Sequence, residues 1–421
     1  SGGTRVQRAC GYEDSTDDMF EYLMAAQGPF ADEAKIRLYC EESRNHFEWL
    51  VSMGAQYKDS EYKERAIMAL TDDCLLYTGS EKAWPYSEIA KPCPRGHNLE
   101  IEGDNGGPLF MTFMTRRVEE RAIDVRYDTR ALTLILDSED SVVGLVVRID
   151  NAERNVRARR GVILCAGGFI MQREMFEHYA PEYAFAQIPV GNPGDDGSGI
   201  LMGQGAGGAV LHMDQCFLTL PFYPPASHTL GILVNAQGQR FINEDGYHAR
   251  TAEHIRRQFG GNVYLIIGEK NFVQPHMLGG EIVATGESVE ELAEEAGLPI
   301  ENLSHTVRYY NDQAAKGEDP LFHKNPEWLE PIEAPFAAID LTPGKSGNYC
   351  AFTLGGLDTL PTGEVLTMDR RVVPGLFAAG RTACGIPRRA EGYASGLSVG
   401  DVTFFGRMAG RRAAQGNPSR G

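Results

Sequence analysis

Hydrophobic positions recur at helical spacing near the start of the chain. The stretches DDMFEYLMAAQG (17–28) and EAKIRLYCEESRNHFEWLVSMG (33–54) place apolar residues three and four positions apart, which predicts that residues 16–56 are mainly helical. Both stretches end in a glycine, Gly28 or Gly54, as helix C-termini often do. The segment TFMTRRVEERAI (112–123) predicts a further helix.

Short apolar runs after this helix predict strands. Residues 124–137 and 142–149 are joined by the turn SEDS and, with the following VRARRG, predict a small meander. The run GVILCAGGF (161–169) is apolar and closed by two glycines, which is typical of a buried parallel strand that enters a ligand loop. Behind it, DDGSGILMGQGAGG (195–208) predicts a helix with a glycine-rich start.

The pattern changes in the middle of the chain. GILVNAQGQRFINEDG (231–246) predicts a hairpin, and NVYLIIGE (262–269) predicts a buried strand. Ser288 and Glu291 predict a capping box ahead of VEELAEEAGL, and LSHTVRYYNDQAAKG predicts another helix. Strand-like runs, GEVLT and GLFAAG, return after this block.

These changes predict the domain organisation. Residues 223–344 form a predicted α+β domain, which is inserted between a first part, 1–222, and a second part, 345–421, of one larger domain. An active site is expected in the cleft between the two domains, since ligands bind preferentially at such boundaries.

Composition narrows the classes of function. The 421 residues carry a formal net charge of −18, which argues against a nucleic-acid partner or an anionic membrane surface. The apolar runs are shorter than the ~20 residues that a membrane span needs. Eight cysteines show neither a CxxC pair nor metal-ligand spacing, so we expect no metal site and a reducing, cytoplasmic location.

The glycine-rich end of the sequence predicts a ligand site. VPGLFAAGR (373–381) reads as a strand, and YASGLSVGDVTFFGRMAG (393–410) predicts a helix whose first turn is residues 395–398. A helix N-terminus favours an anion or a ring that accumulates negative charge, and glycine lets a flat ligand approach the backbone. The alternative is that the glycines only make a crowded junction between helix and strand.

Two hydroxyl side chains precede this predicted helix. Tyr393 and Ser395 are two residues apart, so on an extended segment both would face one cleft. The alternative is that Ser395 caps the helix and Tyr393 packs with its hydroxyl satisfied by the backbone.

The order of the motifs resembles a known flavoprotein family. RRGVILCAGGF, PGDDGSGILMGQGAGG, GILVNAQGQRFINE, LSHTVRYYNDQAAKGEDP, FTLGGLDTLPTGEVLT and VPGLFAAGR…GYASGLSVGD occur in that order. Together they resemble the FAD-binding family that contains fumarate reductases, succinate dehydrogenases and 3-ketosteroid dehydrogenases. The tail GYASGLSVGD, with KPCPRGH (91–97), EDGYHAR (244–250) and FTLGGLDT (352–359), resembles the 3-ketosteroid Δ4-(5α)-dehydrogenases.

Fumarate-type reduction is the alternative within this family. Fumarate reductases carry an arginine acid close to the position of His248, and Arg250 is near but out of register.

The resemblance implies an α/β fold with a Rossmann-like FAD-binding domain and the inserted α+β domain. It implies FAD as cofactor and a 3-ketosteroid as substrate, with hydride passing from C5 to flavin N5 and a proton passing from C4 to a hydroxyl. An electron acceptor, which the sequence does not identify, would reoxidise the flavin. Carried over by motif, the catalytic hydroxyls are Tyr247, Tyr393 and Ser395, and the substrate-binding residues are Gly355, Gly356, Tyr247 and Tyr393. The cofactor-binding residues are Ala131, Ala166, Gly167, Gly168, Asp196, Gly380, Arg381, Ser395, Gly396, Leu397 and Ser398.

One family motif is not found. The family begins with a strand, a GxGxxG turn and a helix, and the GxG sequence at 203–205 lacks that context. The resemblance therefore implies that at least one βαβ unit is missing. Two alternatives to an active enzyme follow: a catalytically silent fragment of a longer flavoenzyme, or a steroid-binding protein without flavin.

Overall fold

The computed structural model describes residues 1–65, 69–103, 105–220, 226–258, 261–275, 279–346 and 348–416. Within these ranges the helices are α1 Arg5–Ala9, α2 Thr16–Gln27, α3 Glu33–Met53, α4 Tyr86–Ile89, α5 Gly106–Glu120, α6 Arg173–Tyr179, α7 Ser198–Gly205, α8 His248–Arg256, α9 Val289–Ala296, α10 Ile300–Ala314 and α11 Leu397–Gln415. The strands are β1 Leu75–Leu76, β2 Gly96–His97, β3 Arg130–Leu136, β4 Val142–Ile149, β5 Ala152–Arg157, β6 Val162–Leu164, β7 Ile188–Pro189, β8 Val210–Leu211, β9 Cys216–Leu218, β10 Ile232–Val234, β11 Tyr264–Gly268, β12 Glu281–Gly286, β13 Phe336–Asp340, β14 Cys350–Thr353, β15 Gly356–Leu357, β16 Glu364–Leu366 and β17 Val372–Ala378.

The first two long helices form as their sequence predicts. Ser15 and Asp32 cap α2 and α3, because each side chain accepts a hydrogen bond from the backbone N–H three residues ahead. Gly28 and Gly54 end these helices at φ 52° and 125°, values that favour glycine. Their buried faces pack together with the N-terminal half of α11.

The predicted meander and parallel strand are also found. β3, β4 and β5 pair antiparallel in order, and β6 pairs parallel with β17 through Val162 and Leu376. The first strand begins at Arg130 rather than residue 124. Asp128 has a φ of 51°, so the chain turns just before the strand begins.

A four-stranded antiparallel sheet, in the order β10-β11-β13-β12, forms the centre of the middle segment. Its side chains alternate between two cores, as the period of a strand requires. Ile232, Val234 and Ile266 pack with α9 and α10. Leu233 and Leu265 face the opposite core, which also contains residues from before 223 and after 345, such as Leu218 and Tyr349. The sheet therefore joins the middle segment to the rest of the protein.

Two local predictions for this segment need correction. Only Val234 and Arg240 bridge across the predicted hairpin, because the Asn235 side chain closes the turn and Arg240 turns toward Glu244. At the predicted capping box, Ser288 accepts from the N–H of Glu291. The Glu291 carboxylate instead accepts from Glu287.

The predicted boundary between residues 222 and 223 lies outside the described residues. The division into domains stays a prediction. Among the helices of the described ranges, none is long and apolar enough to cross a membrane.

Candidate active site

Two tyrosines predicted to be catalytic lie in one apolar cluster. Tyr247 directly precedes α8, and Tyr393 follows the 3-10 turn of residues 390–392 in extended conformation. Their ring centroids are 6.2 Å apart, and both side chains are buried. The other members of the cluster are Phe217, Ala249, Phe352 and Leu354.

The hydroxyl of Tyr393 has a specific partner. It donates a hydrogen bond of 2.9 Å to Oγ of Ser398, in the first turn of α11. Burial raises the pKa of Tyr393, so its phenol is neutral and a hydrogen-bond donor at physiological pH. Tyr393 therefore forms its hydroxyl contact with Ser398. The serine that the sequence predicts to face the same cleft as Tyr393 is Ser395.

The N-terminus of α11 differs from the predicted start. Gly396, at φ 80°, is its N-cap, and no side chain caps the first turn. The alternative that Ser395 caps this helix is wrong, because Gly396 holds the N-cap position. The N–H of Ser395 donates to the carbonyl of Thr78 at 2.9 Å. A Cβ on Gly396 would meet nothing within 4 Å, so the first turn presents open backbone to the adjoining space.

Three cavities adjoin either the start of α11 or Tyr247, and Tyr393 is not among the described residues that line these three. A cavity of about 490 Å³ is lined by Ser395, Gly396 and Leu397 together with aromatic side chains of α2, α3 and α5. A second, of about 650 Å³, lies on the other side of the helix start and is lined by Ser398 and Gly380. A third, of about 90 Å³, contains Tyr247.

A buried carboxylate organises the second cavity. Asp195 is 1% exposed, and its two oxygens accept from the N–H groups of Gly168 and Asn192, both at 2.9 Å. Nη2 of Arg381 lies 3.0 Å from Asp195. The predicted residue, Asp196, instead accepts from the N–H of Ser198.

His248 and Arg250 have different surroundings on α8. Burial lowers the pKa of His248 to about 3, so this imidazole, which lines the cavity of about 90 Å³, is neutral. Its Nδ1 lies 2.9 Å from the hydroxyl of Thr219. The buried guanidinium of Arg250 donates to Oδ1 of Asn243 at 2.8 Å.

The sequence of residues 2–396 matches the model of a family described as FAD binding domain. The chain belongs to the FAD binding domain family. The predicted fold and cofactor are thereby confirmed.

Similar proteins include steroid dehydrogenases and fumarate reductases. The structure of a 3-ketosteroid-Δ4-(5α)-dehydrogenase from Rhodococcus jostii RHA1, in complex with 4-androstene-3,17-dione, matches with a TM-score of 0.92 and 40% identity, covering 98% of this chain and 86% of that one. A probable fumarate reductase of Shewanella frigidimarina is 26% identical over 98% of this chain and 66% of its own length. An NADH:acrylate oxidoreductase of Vibrio harveyi is 30% identical over 73% of this chain and 32% of its own length. The chain thus spans under two thirds of these two curated relatives.

The second cavity and the helix start fit FAD. Ala166, Gly167, Gly380 and Arg381 line the cavity, and Gly167 and Gly380 have φ values of 77° and 64°. The uncapped first turn of α11 provides N–H groups and a partial positive charge, which suit the carbonyl and nitrogen edge of a flavin ring. These residues would hold the cofactor.

The remaining predicted residues lie farther from the helix start. Ala131 is on β3, next to Arg130, whose guanidinium contacts Asp196 at 3.1 Å. Gly355 and Gly356 are packed against backbone: a Cβ would lie 2.4 Å from the carbonyl oxygen of His212 and 2.7 Å from that of Thr382, respectively. The assignments of Ala131 to cofactor binding and of Gly355 and Gly356 to substrate binding stay predictions.

Several residues of the site were missed from the sequence. Phe217 and Phe352 stack at a centroid distance of 4.6 Å against the tyrosines, but they come from strands more than 130 residues apart. Asp195 directly precedes the predicted residue, Asp196, and the two carboxylates differ only in the hydrogen bonds that the folded chain gives them. Thr78 and Glu81 come from an irregular segment without a recognisable motif, and both line the cavities of about 490 and 90 Å³.

Proposed function

We propose that the protein is a FAD-dependent oxidoreductase that introduces the 4,5 double bond of a 3-ketosteroid. The observation that carries this proposal is the pair of buried tyrosines, Tyr247 and Tyr393, in one apolar cluster beside the uncapped start of α11. The similarity to the Rhodococcus enzyme, at 40% identity, supports the same class of substrate.

The chemistry begins with a weakly acidic C–H bond beside a ketone. A neutral phenol that donates to the 3-oxo group stabilises the enolate-like charge that develops when the C4 proton leaves. Because burial raises the pKa of Tyr393, this residue keeps its proton and suits such donation. In the proposed mechanism one tyrosine polarises the 3-oxo group, and the hydroxyl of Ser395 receives the C4 proton.

The cofactor supplies the other half of the reaction. When bound, FAD provides the acceptor for the hydride that leaves C5. Phe217 and Phe352 stack in the same apolar cluster as the two tyrosines, and such aromatic surroundings suit a flat apolar substrate. The acceptor that reoxidises the flavin belongs to the proposal and is not identified.

Fumarate-type reduction is the second candidate, because the first curated relatives carry that name. A dicarboxylate substrate needs cationic partners at the site. His248 is neutral, but the guanidinium of Arg250 stays a cation when it donates to an amide, and Arg65 lines the cavity that contains Tyr247. The preference for the ketone substrate therefore rests on the 40% identity to the Rhodococcus enzyme.

Substrate comparison tests the proposal. The FAD-loaded protein is incubated with an artificial electron acceptor and a 5α-3-ketosteroid, its 3-hydroxy analogue, or succinate. We expect a 4-ene-3-one product, identified by mass and ultraviolet absorbance, from the ketone alone. Turnover of succinate without turnover of the ketone would support the second candidate instead.

A further inference from the structure

A four-residue loop, Thr78–Glu81, connects the backbones of two predicted catalytic residues. The carbonyl of Thr78 accepts from the N–H of Ser395 at 2.9 Å, and the hydroxyl of Ser80 accepts from the N–H of Tyr247 at 2.9 Å. Residues from both sides of the predicted domain boundary are thus attached to the same short segment. A side chain of this loop is therefore well placed to act on both.

Glu81 is the ionisable residue of this loop, and it is 2% exposed. Its carboxylate lines the cavity of about 490 Å³ with Ser395, and also lines the cavity of about 90 Å³ with Tyr247. Oε2 accepts a hydrogen bond from the N–H of Gly79 at 2.8 Å, which fixes the carboxylate against its own loop. Buried carboxyls are uncommon unless paired.

The charges around Glu81 are largely engaged elsewhere. The positive charge of Arg95 acts on Glu81. However, Nε and Nη2 of Arg95 both donate to Asp14, at 2.9 and 2.7 Å. Burial raises the pKa of Glu81, and Arg95 opposes this effect. The other titratable groups that interact with Glu81 are Asp14, Tyr22, Tyr77 and the amino group of Ser1.

We propose that Glu81 accepts the substrate proton from the hydroxyl relay and holds it between the two cavities. This inference rests on the proposed function. The C4–H bond breaks, its electron pair stays on the substrate, and the proton passes through the hydroxyl of Ser395 or Tyr247. It then forms the O–H bond of the Glu81 carboxyl. The hydride from C5 goes to the cofactor, so the step needs no further co-reactant.

Glu81→Gln tests this role because it keeps the shape of the side chain and removes its basicity. FAD-loaded protein is mixed anaerobically with a 5α-3-ketosteroid, and flavin bleaching is followed over a range of pH. We expect the wild-type rate to fall at acidic pH, and we expect Glu81→Gln to lose about 100-fold in the bleaching rate together with this acidic limb. Glu81→Asp should retain a limb with a shifted midpoint. Glu88→Gln, exposed on α4 and outside the residues that line the three cavities, is the matched control and should bleach at the wild-type rate.

The outcomes separate the two claims. If the wild type retains flavin but no 3-ketosteroid bleaches it, the proposed function is contradicted, and the role of Glu81 is contradicted with it. If the wild type bleaches and folded Glu81→Gln keeps its rate or its acidic limb, the role of Glu81 alone is contradicted. Should Glu81→Gln fail to fold, Glu81→Asp decides, and an unmoved midpoint overturns the inference.

Discussion

Removing one oxygen atom from Tyr393 should affect turnover much more than folding. In Tyr393→Phe the ring remains in its cluster with Phe217 and Phe352, and the hydroxyl loses its hydrogen bond to Ser398. The ring packing, which carries the hydrophobic stabilisation, does not change.

The expected magnitudes follow from that geometry. One hydrogen bond between hydroxyls contributes a net of about 1 kcal/mol to folding, which for a protein of this size lowers Tm by about 2 °C or less. Loss of a donor that stabilises developing negative charge slows an enzyme by about 10²–10³-fold, equivalent to about 3–4 kcal/mol in the barrier. The change in activity should therefore exceed the change in stability several times over.

The assay compares the anaerobic flavin-bleaching rate with Tm and retained flavin for the same protein preparation. Tyr349→Phe is the control, since Tyr349 is fully buried, its hydroxyl donates to the carbonyl of Leu341, and it packs in a different core from Tyr247 and Tyr393. It should lose a similar amount of stability and keep its rate. Full turnover by Tyr393→Phe, or equal losses of rate in both variants, would refute the reasoning.

Three further predictions concern stability and cofactor binding. Glu244 is buried, and its pKa is lowered to about 2 because its cationic partners outweigh burial. Above pH 4.5 its ionisation contributes about 3 kcal/mol to the free energy of unfolding, and this contribution is lost as the pH falls toward 2. Glu244→Gln should lower the free energy of unfolding in urea at pH 7 by about 3–5 kcal/mol. Burial lowers the pKa of His97 to about 3, so the folded state excludes a proton that the unfolded state binds below pH 6.5. As the pH falls from 6.5 to 3, this residue should therefore lower the free energy of unfolding by about 1.4 kcal/mol per pH unit. His97→Gln should reduce the measured slope by that amount. Gly396→Ala should lower the free energy of unfolding by about 1–2 kcal/mol and weaken FAD retention. Gly297, at the end of α9, has a similar positive φ and similar open space, so Gly297→Ala should lower stability and leave FAD retention unchanged. Equal FAD retention by the two variants would contradict the role of the helix start in binding FAD.

Local structure was predictable from the sequence where local chemistry determines it. The caps and terminal glycines defined α2 and α3, and the apolar run before Cys165 defined the parallel strand β6. The predicted first turn of α11 begins at residue 395, two residues before the observed start at Leu397. Serine and glycine both occur at the N-cap position, and this sequence has them side by side. Only the φ of 80° at Gly396 distinguishes them.

The candidate site was predictable only in part, because its contacts join distant segments. The motif identified Tyr247 and Tyr393, but their approach depends on how α8 packs against the turn at 390–392. Spacing also suggested that Tyr393 and Ser395 share a cleft, whereas Tyr393 contacts Ser398, one helical turn ahead. The proposed role of Glu81 depends on the burial of its side chain, and the sequence of its irregular segment gives no pattern from which that burial could be predicted.

The central claim is that Tyr393 and the start of α11 join a flavin to a 3-ketosteroid. The most direct test is to load the purified chain with FAD, remove the excess, add a 5α-3-ketosteroid anaerobically, and record the visible and ultraviolet spectra together. The account predicts a retained flavin band that bleaches as the absorbance of a 4-ene-3-one appears, one product per flavin. A retained band that no 3-ketosteroid bleaches, or a chain that retains no flavin, would contradict it.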